Sequence, residues 1–99
     1  MKVTISSIHF KADVKLEDFI REKTAKLSKL FDGVIGYDVT LRLDSASNNE
    51  NKIAEIRMMI PGNDLFAKKQ AKSFEEAVDN AADALRRQVR KHKEKIRGI

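Results

Sequence analysis

The chain has no cysteine among its 99 residues, so disulfides, a thiol nucleophile and a cysteine zinc site are excluded, and a reducing compartment is accommodated. Tryptophan is also absent, and five Phe and one Tyr leave Leu, Ile, Val and Met to fill most of the interior. The N-terminal Met1-Lys2-Val3-Thr4-Ile5-Ser6 lacks the apolar run of a signal peptide, and nowhere are there about eighteen consecutive apolar residues. A cytoplasmic protein with no membrane partner is expected. Two histidines, His9 and His92, lie too far apart for a metal motif, and no Gly-rich phosphate loop, Gly-x-Ser-x-Gly or His-Glu-x-x-His occurs. Neither an enzyme nor a cofactor or metal site is expected.

What remains is one domain, residues 1–99, with an ordinary apolar share of 41% and a net charge of +5. The positive charge is concentrated. From Arg86 to Arg97 there are seven Lys or Arg against one Glu, net +6, so the other residues sum to −1. The macrodipole accounts for a few cations near a helix C-terminus, at roughly 0.3–1 kcal/mol each, but not for seven. Four of the seven are Arg, whose planar fork suits phosphate oxygens. A polyanion, nucleic acid before membrane, is the partner this pattern favours.

The basic run ends a long predicted helix that opens at Ser73, where Ser73 and Glu76 have capping-box spacing, and stops at Gly98. Phe74, Val78, Ala81, Leu85, Val89, His92 and Ile96 form its apolar stripe. Arg86, Arg90, Lys93 and Arg97 form a second stripe, and Lys91 and Lys95 flank the apolar face on its other side. Glu75, Glu76, Asp79 and Asp83 read as a solvent-side complement to the N-terminal dipole.

Upstream, residues 2 to 7 alternate as a strand, and Asp13 is the N-cap of a helix of about 17 residues that Asp32-Gly33 would stop. Leu16, Phe19, Ile20, Leu27, Leu30 and Phe31 share its apolar face, and Lys23 within that face is expected to lay down its stem and carry its ammonium to the rim beside Lys26. A second strand places Tyr37, Val39, Leu41 and Leu43 inward, and a third does so with Ala54, Ile56, Met58 and Ile60. The polar run Ser45 to Asn51 joins them as a flexible connection, and Pro61-Gly62-Asn63-Asp64 turns the chain into a fourth strand over residues 65 to 72. The order β-α-β-β-β-α predicts an α+β fold, a four-stranded sheet with both helices on one face. Lys23, Lys26 and Lys29 can then face the basic helix across a positive groove. Strand-borne stacking aromatics are missing, Phe66 standing alone, so backbone and shape recognition of structured RNA is favoured.

Ile5-Ser6-Ser7-Ile8-His9-Phe10, Leu16 to Ile20, Lys23, Leu27 to Phe31, Phe74-Glu75-Glu76-Ala77-Val78-Asp79 and, above all, Leu85-Arg86-Arg87-Gln88-Val89-Arg90-Lys91-His92-Lys93-Glu94-Lys95 carry a resemblance over nearly the whole chain. The sequence resembles the bacterial ribosome hibernation promoting factor and ribosome-associated inhibitor A family. That resemblance implies a fold similar to double-stranded-RNA-binding domains, seated in the neck of the small ribosomal subunit over the decoding centre and messenger path, where it blocks initiation. It also implies contacts to 16S-type ribosomal RNA from Lys23, Lys26, Lys29, Arg86, Arg87, Arg90, Lys91 and Lys93, with Arg86 and Arg90 central. The sequence departs from the pattern at Ile8, where family members often carry a basic or polar residue. With no dimerisation domain after Ile99, the resemblance is to a short form, monomeric when free, that leaves ribosome pairing to a separate partner. A general structured-RNA or double-stranded-RNA module and a protein adaptor with a basic docking helix are the competing expectations.

Overall fold

The computed structural model describes residues 1–45 and 49–96, and for residue 96 the backbone alone. Its elements are β1 (Lys2–Ser7), α1 (Val14–Ser28), β2 (Gly36–Leu43), β3 (Lys52–Met59), β4 (Leu65–Ala71) and α2 (Phe74–Ile96). The strands lie in the order β1-β2-β3-β4, with β1 parallel to β2 and the other pairs antiparallel. A parallel pair needs a long crossover, which α1 supplies, whereas the antiparallel pairs need only short connections.

Register aligns the apolar rows. Val39 faces Ile56, which faces Ala67, while Tyr37, Met58 and Leu65 form the next row. These residues are buried, and both helices close over them in one core with Ile20, Leu27, Val78, Leu85 and Val89. Leu43, expected inward, is 49% exposed, because it ends β2 opposite Lys52, past the cover of the helices. Of the polar run 45–51, residues 46–48 lie outside the described residues, as do Arg97 and the Gly98 stop, and Ile96's place in the apolar stripe rests on a side chain outside them.

The N-cap of α1 is Asp13, whose Oδ1 accepts the Leu16 N–H at 2.8 Å. Its buried face is Leu16, Ile20, Thr24 and Leu27, and Thr24 fits because its hydroxyl donates to the Ile20 carbonyl at 3.0 Å. The helix ends at Ser28, before the expected Asp32-Gly33, and does so without a left-handed cap. The N–H groups of Lys29 and Leu30 instead donate to the carbonyls three residues back, at 3.2 and 3.0 Å, which tightens the last turn and leaves Leu30 exposed. Gly33 has a different use: a Cβ there would lie 2.5 Å from the Phe31 ring.

In α2 the Ser73 half of the capping box is formed, its Oγ accepting the Glu76 N–H at 3.1 Å. Ala77 and Ala82 join the expected apolar stripe as buried residues, their small side chains letting the helix approach its neighbours. Strands β1 and β4 point the same way, so the helices that follow them run parallel. A stacked Phe10–Phe74 pair, centroids 4.8 Å apart, joins their N-terminal ends, and Phe31 meets His92 edge-on at 5.3 Å toward their C-terminal ends. At 1.5 Å per residue α2 is about 35 Å long. Only the long dimension of this 46 × 24 × 19 Å molecule accommodates it.

Candidate nucleic-acid interface

Parallel helices bring their C-terminal halves together, and here both halves carry cations. On α1, Lys23 and Lys26 are three residues apart and share a face. On α2, Arg86, Arg90 and Lys93 fall within about 60° of one another on the side that meets α1. Between the helices lies a hollow of about 90 Å³ lined by Lys23, Lys26, Leu27, Leu30, Asp79, Ala82 and Arg86. A second hollow, of about 70 Å³, adjoins it through Leu30 and Arg86 and adds Val89, Arg90 and Lys93. The result is one groove with a cationic rim over an apolar floor. Lys26 and Lys93 also sit in the last turns of their helices, where the carbonyl ends gather partial negative charge that favours them.

Five of the eight sequence-predicted residues line this groove: Lys23, Lys26, Arg86, Arg90 and Lys93. Arg87 and Lys91 project roughly 100° and 140° around α2 from Arg86, and Lys29, the exposed C-cap of α1, lines neither hollow.

Lys23 lines the hollow beside Lys26 with its side chain 26% exposed, and its ammonium gains a partner: it lies 5.3 Å from the centroid of the Phe19 ring and 2.7 Å from Asp79 Oδ1. Asp83 likewise holds Arg87 Nη1 at 2.9 Å and approaches Arg86 Nη1 at 3.5 Å. Asp79 and Asp83 are therefore anchors for cations, a role beyond the dipole complement read from sequence. The wheel carries a signal for this, since Asp79 precedes Arg86 by seven residues and so shares its face. The groove floor, Leu30, Ala82 and Val89, also went unassigned to the site, because a floor exists only once two helices meet. Arg90, Lys91 and Lys93 make no ion pair among the described residues.

On the opposite sheet face both arginines have carboxylate partners. Arg42 bonds Glu55, Arg57 lies 3.7 Å from Asp64, and the Arg57 guanidinium covers the lone Phe66 ring at 5.4 Å. Among the described residues no three His, Asp or Glu side chains are placed to hold a metal, and no helix is long and apolar enough to cross a membrane.

A sheet backing two parallel helices, with a cation-rimmed groove between their C-terminal halves, defines a small basic α+β protein. Residues 3–97 match the family described as Sigma 54 modulation protein / S30EA ribosomal protein. The ribosome hibernation promoting factor of Pseudomonas putida is 32% identical over 99 residues, spanning all of this chain and 93% of that protein. The ribosome hibernation promotion factor of Bacillus subtilis is 30% identical over 98 residues, 97% of this chain and 50% of that protein. The chain belongs to the ribosome hibernation promoting factor family. The Protein Y N-terminal domain of Thermus thermophilus shares its fold, with a TM-score of 0.80 at 24% identity over 93% of this chain and 99% of that one. So does a ribosomal subunit interface protein of Coxiella burnetii, TM-score 0.80 at 18% identity, over 95% and 99%.

Proposed function

We propose that this chain, as a single ribosome-binding domain, silences ribosomes in the cytoplasm by laying its helix–helix groove on RNA of the small subunit, over the decoding centre and messenger path. The observation that carries this reading is the convergence of Lys23, Lys26, Arg86, Arg90 and Lys93 on one groove. Phosphates of folded RNA present negative charge at fixed spacing, and Arg forks on a rigid helix meet them with little ordering cost. Arg86 and Arg90 are the central pair, and Lys29, Arg87 and Lys91 extend the contact beyond the rim. The mechanism is steric: with the groove seated, messenger and initiation ligands lose their path.

Co-sedimentation with small subunits, large subunits and whole ribosomes, with duplex RNA as competitor, tests the reading. Saturable binding of one copy per small subunit, resistant to duplex RNA, is expected. Binding stripped by any RNA would leave a generic structured-RNA module. Arg86→Ala with Arg90→Ala should shift thermal stability by under about 0.5 kcal/mol, since both residues are exposed, and yet weaken subunit binding. Wild-type binding by that variant would overturn the groove assignment.

A further inference from the structure

The cationic groove carries one carboxylate within its guarded half and a second on the flank beside it. Asp79 lines the hollow with Lys23, Lys26 and Arg86 and holds the Lys23 ammonium at 2.7 Å. One turn on, Asp83 holds Arg87 at 2.9 Å and approaches Arg86 at 3.5 Å. Toward the helix C-terminus, Arg90 and Lys93 meet no carboxylate among the described residues. The groove is therefore graded along its length, with open cations at one end and occupied ones at the other.

We propose that Asp79 and Asp83 are built-in competitors of RNA phosphate that set the specificity of this surface, an inference that rests on the RNA-binding reading above. Each carboxylate gives its cation the charged oxygens that a phosphate would otherwise bring. A polyanion that reaches only the open end gains Arg90 and Lys93 but must approach two like charges to gain more. An RNA surface whose phosphates follow the whole groove and the flank of α2 beside it can exchange both carboxylates at once, recovering Lys23 and Arg86 within the groove and Arg87 on that flank. The pairs thus weigh against polyanions in general, which is specificity obtained through repulsion. Both carboxylates are more than half exposed, so each pair is weak enough to be exchanged.

The test compares wild type, the double variant Asp79→Asn with Asp83→Asn, and a control, Asp18→Asn with Asp38→Asn. The control changes net charge equally, through exposed residues that make no ion pair among those described. Fluorescence anisotropy across a salt series measures binding to a short RNA duplex of unrelated sequence and to purified small subunits. The double variant should bind the duplex more tightly, by up to about fivefold per released pair. Its slope of log K against log salt should steepen by about 0.7–0.9 for each phosphate newly engaged. Small-subunit binding should change less, so discrimination falls. Duplex binding that is unchanged, weaker, or raised no more than in the control would overturn the proposal, and weaker binding would make Asp79 a positioning residue for Lys23. If wild type ignores small subunits while the double variant still gains duplex affinity over the control, the small-subunit reading fails and the carboxylate assignment stands. Asp83→Asn alone, on an exposed turn, keeps the duplex measurement available should the double variant unfold.

Discussion

Tyr37 shows how one side chain ties sheet to helix. Its ring is fully buried on β2, and its hydroxyl lies 3.0 Å from Ser28 Oγ. The Ser28 hydroxyl can donate to the Thr24 carbonyl at 3.0 Å while accepting from the phenol. Burial pushes the phenol above its ordinary value of 10.0, against a smaller opposing effect of the Ser28 hydrogen bond. The folded protein therefore keeps the proton while the unfolded chain loses it. Above about pH 10 the folded state binds more protons than the unfolded one, so stability falls as pH rises. Urea unfolding of wild type and Tyr37→Phe at about pH 8 and pH 10.5 checks this. The variant should lose about 1 kcal/mol at the lower pH and show a shallower alkaline fall. Equal alkaline falls in the two proteins would show that the phenol does not carry the effect.

At the scale of elements, α2 is held unevenly. From Ala77 to Val89 its inner residues are buried against sheet and α1, whereas beyond Val89 Phe31 packs edge-on against His92. Amides of residues 91–96 should exchange faster than those of residues 78–89. Phe31→Ala should widen that difference and lower small-subunit affinity severalfold without removing a charge, because Arg90 and Lys93 then stand on a looser support. Unchanged exchange in the last turns would mean that Phe31 does not brace them. The same uneven logic explains what the sequence disclosed. Caps and strand alternation are local, so Asp13, Ser73 and the rows around Val39 and Ile56 were legible. Where α1 stops was not, since the last turn closes through carbonyls three residues back and Gly33 answers to a ring instead of to a backbone cap. The Lys23–Asp79 pair spans two helices far apart in the chain, and no periodicity within one helix names the partner across a seam.

For the whole molecule, the parallel helices sort charge by position. Asp13, Glu17, Glu75 and Glu76 lie at the N-terminal ends of the helices, and Lys26, Lys93 and Lys95 lie in their last turns. Under the proposed function, such a charge distribution would orient the molecule basic end first in the field of an RNA surface. Five groove cations each meeting a phosphate would give small-subunit binding a log–log salt slope of roughly −4. A slope near zero in the same anisotropy series would mean that apolar contacts, and not the cationic rim, carry the affinity.

The 46 × 24 × 19 Å outline with α2 along its length also governs how the free protein tumbles. Reorientation about the long axis is faster than end over end. Amide N–H bonds in a helix lie nearly parallel to its axis, so those of α2 are blind to the fast spin and relax through the slow rotation alone. In nuclear magnetic relaxation α2 should therefore show transverse-to-longitudinal rate ratios above those of strand amides whose N–H bonds lie across that axis. Seating on a ribosome would remove that contrast.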